Sequence, residues 1–230
     1  MKPVGVEDGH FMRAAGWRTL VGGHPIFVAA MCWCAGLLSA DQARADAIEV
    51  DHAGTVVRYI TFDPKNPPAD MPKLKPDEDA FTRFDFWIDT QFSYRVDKPG
   101  ADHIPTATIR SAKVSLTLTI DIYLPTDATA KLKAHEEGHR NITDQTYADA
   151  DETVRAWLEK VVGTKQKIEK GKDHAKLIKE LAAECARNYH SKVTARATRV
   201  NDIYDEITAH GRKAIPEANA IAQAFATADK

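Results

Sequence analysis

The chain has 230 residues, 43% of them apolar and 28% charged, a size for one domain or at most two and enough to bury a core without disulfide staples. Its formal net charge is −2, so no basic excess points to nucleic acid and no acidic block forms a charged tail.

Residues 1–47 read as an export signal. Arg13 and Arg18 precede an apolar run from Pro25 to Ala40, and Ala43-Arg44-Ala45 and Ala45-Asp46-Ala47 both fit small-x-small cleavage. Met12 is a candidate start for that signal. The apolar run falls short of the roughly 20 residues a membrane span needs, and Pro25 and Gly36 interrupt it. The expectation is therefore cleavage rather than anchoring, a secreted or periplasmic location, no stable membrane insertion, and one mature domain over 48–230. Cys32 and Cys34 lie inside the signal, which leaves Cys185 as the single mature cysteine, expected as a small core residue on a helix.

Val56 to Phe62 is a short candidate strand, followed by a proline-, lysine- and aspartate-rich loop from Asp63 to Asp79. Phe84, Phe86, Ile88, Phe92, Tyr94 and Val96 then alternate with polar residues. After Pro99-Gly100 the alternation returns in Val114, Leu116, Leu118, Ile120, Ile122 and Leu124. Two amphipathic strands predict a small antiparallel sheet with one buried face. Trp87 and Tyr123 sit on the polar face, where partial cover by a loop is expected.

Beyond Pro125, Thr126 or Asp127 offers a helix cap, and the period changes to about 3.6. Leu132, His135, His139, Ile142, Thr146, Ala150, Val154, Trp157 and Val161 form one stripe, ending at Gly163 as a helix or helix pair. Lys165 to Lys172 reads as a charged turn. A second long helix carries Leu177, Leu181, Cys185, Tyr189, Val193, Val200, Ile203 and Ile207 and ends near Gly211, and Pro216 opens a short terminal helix.

The chemistry concentrates in His135-Glu136-Glu137-Gly138-His139. Histidines four apart on a helix share one face, so both imidazoles can reach one tetrahedral metal ion at about 2.0–2.1 Å. Glu136 then lies beside the open position as a general base for the attacking water. A catalytic zinc needs a third protein ligand. The metzincin pattern would place it at residue 145, which is Gln145, and Ile142 stands where that pattern needs glycine, so that class is excluded. The residues alone leave two options open: an acidic ligand such as Glu152 or Glu159, or His210, which shares the buried side of Ile203 and Ile207.

The strand end Ile122-Tyr123-Leu124-Pro125, then HEEGH with Ile142, then Tyr204-Asp205, Thr208 and His210-Gly211 resembles a bacterial family of secreted zinc-dependent proteases, catalogued mainly as a domain of unknown function. The resemblance spans about Val114 to Gly211, and more weakly the strand near Phe84. It implies Zn2+ held by His135, His139 and His210, with Glu136 as base. It also implies that Tyr204 and Asp205 stand beside the metal or the transition state, Tyr204 donating to the oxyanion. The substrate it implies is a peptide or protein. Two departures stand out: the mature chain lacks the cysteine frequent in the family's β region, and Asn141 occupies a position where aspartate is common.

Pattern and resemblance together predict an α+β, zincin-like domain. A small antiparallel sheet packs on the motif helix, the second long helix returns to close the metal site, and the strand edge beside the motif is free to bind an extended peptide. Two other readings compete with this one, an exported zinc-binding or interaction protein without turnover, and a metal-free periplasmic binding domain with a chance motif.

Overall fold

The computed structural model describes residues 47–69, 71–74, 78–97, 104–169 and 173–230. The export signal, apart from its last residue, and with it Cys32 and Cys34, lies outside the described residues. The described chain forms a five-stranded sheet with helices on one side: β1 (Ile48–His52), β2 (Val56–Phe62), β3 (Phe81–Asp97), β4 (Thr106–Pro125), α1 (Ala130–Ala148), α2 (Ala150–Leu158), β5 (Lys165–Lys167), α3 (His174–Tyr189), a π-helical turn (His190–Thr194), α4 (Ala195–Thr208) and α5 (Glu217–Ala228). No helix among the described residues is long and apolar enough to cross a membrane.

The two alternating segments pair as expected. β3 and β4 are antiparallel, with Phe84 opposite Ile120, Phe86 opposite Leu118 and Ile88 opposite Leu116. Directly opposed residues point to the same face, so both apolar series fall on one side, where Val114, Leu116, Leu118 and Ile120 have no exposed surface. A bulge between Ser93 and Tyr94 shifts the register, and Ile109 is fully buried beyond it.

The sheet is mixed rather than antiparallel, which corrects the expectation. β3 takes one edge of β4 along nearly its whole length. The other edge is shared in succession by β5 against Thr106–Thr108, β1 against Ala112–Leu116 and β2 against Thr119–Pro125. β1 and β2 both run parallel to β4. Period-two alternation reports which face a residue occupies and carries no strand direction. The chain must therefore pass from β2 across the end of β4 to reach β3, and the described residues 63–69, 71–74 and 78–80 lie on that path.

On the outer face, Asp121 lies in register between Arg58 of β2 and Arg83 of β3. It accepts from Arg58 at 2.6 and 2.8 Å and from Arg83 at 2.7 Å. Tyr123 is covered on this face by Phe81 and the Arg83 guanidinium, whereas Trp87 is 64% exposed, so the cover over Tyr123 comes from side chains of β3 rather than from the loop expected, and Trp87 is left open.

α1 is capped by Thr129, whose hydroxyl accepts from Leu132 N at 3.1 Å. Thr126 and Asp127, the expected caps, belong to the turn before it. The predicted helix breaks at Asp149 (φ −99°, ψ 12°) into α1 and α2, and Gly163 at φ 82° ends the segment. The lysine-rich turn contains β5. α3, the π turn and α4 form one continuous run; Cys185 is buried in it, and burial pushes its thiol pKa up.

Apolar side chains form two clusters. The larger lies between the sheet and α2 and α3. The smaller joins Ile142 of α1, Val200 and Tyr204 of α4, and Ala220, Ile221 and Ala224 of α5. The motif histidines sit on α1 at the margin of this smaller cluster.

Candidate metal centre

α1 presents its motif to a cleft of about 1260 Å3 between the crossing loop, the start of β3, and α4. Pro64, Met71, Leu74 and Phe81 form an apolar wall, and His135, Glu136, His139, Asp205 and His210 reach it from the helices. His135 and Glu136 are each only 3% exposed.

The two histidines converge on a single atom. His135 Nε2 and His139 Nε2 each lie 3.1 Å from Asp205 Oδ1. Metal–ligand bonds of about 2.0–2.1 Å in a tetrahedron put neighbouring donor atoms about 3.3 Å apart, so these separations match ligand-to-ligand edges. One donor atom from each of the three residues lies within 4.8 Å of the others, and the group can hold a metal ion. The chemistry fits as well, because two imidazoles and a carboxylate suit zinc and related transition metals.

Asn201 orients the second histidine. Its Nδ2 donates to Ala197 O at 2.9 Å and to Thr143 Oγ1 at 3.3 Å. The Thr143 hydroxyl is itself committed as a donor to His139 O. That leaves the Asn201 Oδ1 to face His139 Nδ1 at 2.7 Å. An acceptor there holds a ring proton on Nδ1, so Nε2 is the nitrogen turned to Asp205 and the one that would offer its lone pair to a metal on losing its proton.

Electrostatics bind the group further. Burial alone would raise the Asp205 carboxyl, but hydrogen bonds from His135 and His139 and their charges outweigh it and hold the group well below the usual carboxylate range. Burial alone would lower His139, and the bond to Asp205 and its charge reverse this and raise it. Glu136 moves the other way. Burial pushes its carboxyl up against the pull of His139, Thr82 and His135, and its Oε2 accepts from Thr82 Oγ1 of β3 at 2.6 Å.

Glycines fit the histidines closely. A Cβ on Gly138 would lie 2.6 Å from Tyr204 Cζ and closer still to its hydroxyl oxygen, and a Cβ on Gly211 would lie 2.9 Å from His135 Cγ. Gly211 stands at φ 74°, after Ala209 at φ 50° and His210 at φ 54°. Two non-glycine residues in left-handed conformation store strain. The turn is held by His210 N bonded to Asp205 O at 3.0 Å and Lys213 N bonded to Thr208 O at 2.9 Å.

The residues singled out from the sequence therefore fare differently. His135, His139 and Glu136 stand together at the cleft. His210 lines the same cleft, and its Nδ1 is 3.5 Å from Asp205 Oδ1, but Asp205 is the residue that joins the two histidines within mutual reach. The acidic alternatives Glu152 and Glu159 lie on α2 and its C-cap, away from the cleft. The Tyr204 hydroxyl does not face the cleft. It donates to Glu217 and to the His135 carbonyl, so its contacts describe a support rather than an oxyanion donor. Asn201, Thr82 and Glu217 carried no motif signal. Asn201 alone had a positional one, lying four residues before Asp205 on the same helical face. The chain matches no protein-family model, no curated protein and no solved structure.

Proposed function

We propose that the protein is an exported zinc-dependent hydrolase of the zincin type that cleaves peptide bonds. The observation that carries the reading is the convergence of His135 and His139 Nε2 on Asp205 Oδ1, with the buried carboxyl of Glu136 beside them. The resemblance of HEEGH and YDEITAHG to secreted zinc-dependent proteases points the same way.

In this reading His135, His139 and Asp205 hold the ion, and His210 Nδ1 adds a fourth donor next to Asp205. A bound zinc ion supplies Lewis acidity toward a carbonyl and acidifies a water molecule. Glu136 takes the proton of the attacking water at its carboxylate and returns it to the leaving nitrogen. Thr82 donates to that carboxylate, and burial raises its proton affinity above the ordinary carboxylate value.

The cleft also supports a peptide substrate. Phe81 to Phe84 of β3 line it, and among the described residues β3 pairs only with β4. Its outer edge offers backbone N–H and C=O groups to an extended chain by strand addition.

The test is a peptide-library digest by the purified protein with and without a chelator. Glu136→Gln should keep about one zinc per chain and lose hydrolysis by a factor of about 10² or more. If Glu136→Gln cleaves as the wild type does, the hydrolase reading fails and a zinc-binding role without turnover replaces it.

A further inference from the structure

We propose that the C-terminal helix is part of the metal site, with Glu217 holding Tyr204 as a positioning residue under both motif histidines. The inference rests on the metal reading above.

One aromatic ring serves both ligands. Tyr204 stacks on His135 with ring centroids 5.0 Å apart and planes 13° from parallel. It meets His139 edge-on at 5.0 Å and 84°. Tyr204 has no exposed surface, and Gly138, one residue before His139, is what lets its hydroxyl come up against α1. That hydroxyl is shared between the His135 carbonyl at 3.3 Å and the carboxylate of Glu217. A hydrogen bond to a charged acceptor is the stronger of the two. Glu217 is the first residue of α5, so the height of the ring under the histidines is set from a separate helix.

α5 has a second anchor remote from the motif. Arg196 bonds Asp229 at 3.0 and 3.1 Å and lies over the Phe225 ring at 5.2 Å. The two anchors separate a positioning role from plain helix docking. Cutting the Arg196 anchor loosens α5 at its far end, whereas cutting the Glu217 bond frees the ring that fixes both imidazoles.

The experiment measures Zn2+ affinity by competition with a chromophoric chelator, and the visible absorption of the Co2+-loaded protein, on the full chain. Tyr204→Phe and Glu217→Ala should each weaken zinc binding about tenfold or more, the range for loss of a group that orients a ligand, and should shift the Co2+ bands. Glu217→Gln keeps an acceptor oxygen and should recover most of the loss. The double variant should be no weaker than the worse single one, because both remove the same bond. Arg196→Ala should lower the thermal midpoint and leave affinity and spectrum unchanged. Should Glu217→Ala fail to fold, Tyr204→Phe, which removes a single oxygen atom, carries the test. Unchanged affinity and Co2+ bands in Tyr204→Phe would overturn the proposal, as would an equal loss of affinity in Arg196→Ala. A wild type that binds neither metal would remove the metal reading, and this inference with it.

Discussion

Gly138→Ala separates the packing account of the motif from a simple helix-propensity account. In an open helix interior, glycine to alanine stabilises by about 1 kcal/mol. Here the new Cβ would stand 2.6 Å from Tyr204 Cζ and 3.1 Å from Cε1, where ordinary contact begins near 3.4 Å. Tyr204 has no exposed surface, and its ring is confined between His135 and His139. Moving it costs about 1–3 kcal/mol of overpacking, and losing the hydroxyl's bond to a charged carboxylate about 1.5–3 kcal/mol more. Set against the propensity gain, the net expectation is destabilisation by about 1.5–5 kcal/mol. For a domain of this size that is a fall in thermal midpoint of about 3–20 °C. Urea or thermal unfolding followed by circular dichroism reads the effect. Adding Tyr204→Phe should return part of the loss, since it removes the atom nearest the new methyl, giving a coupling of about 1 kcal/mol or more. A Gly138→Ala protein more stable than the wild type would refute the reasoning.

Gly211→Ala should destabilise by about 1–2 kcal/mol through its left-handed backbone and weaken zinc binding by displacing His135. Ala209→Gly, which relieves φ 50° without touching a ligand, should stabilise by about 0.5–1 kcal/mol in urea unfolding; a destabilised Ala209→Gly would contradict the strain assigned to this turn. Asn201→Ala should cost about tenfold to a hundredfold in zinc affinity in a chelator competition, by releasing the His139 tautomer. Asp121 supplies the pH prediction. Burial would raise its carboxyl, but the bonds and charges of Arg58 and Arg83 outweigh it and hold it below its ordinary 3.8. A depressed folded-state value stabilises above the unfolded value and is lost as pH falls through the folded one. Asp121→Asn should therefore flatten the fall of stability with acid below about pH 4, at a cost near neutrality of about 1–2 kcal/mol given its half-exposed arginine partners. An unchanged acid limb in equilibrium unfolding would count against the row.

The sequence made legible whatever repeats at a fixed period. The faces of β3 and β4 follow from Phe84–Val96 and Val114–Leu124, because cross-strand pairs share a face once each series alternates. The pairing of β1 and β2 with β4 was not legible, since alternation is the same for a parallel and an antiparallel neighbour. HEEGH announced its histidines because four residues make one helical turn. Asp205 was named with Tyr204 from the downstream block, but choosing it over His210 as the residue that meets both Nε2 atoms depends on where the left-handed turn at Ala209–Gly211 sends the His210 ring. No spacing rule encodes that. Thr82, Asn201 and Glu217 act through contacts made by folding, between elements 54, 62 and 13 residues apart in the chain.

The most direct test of the account is the zinc content of the purified protein beside its His135→Ala and Asp205→Ala variants, each confirmed as folded by circular dichroism. The account predicts about one zinc ion per chain in the wild type and none in either variant. A wild type without zinc, or an Asp205→Ala protein that keeps a full equivalent, would contradict it.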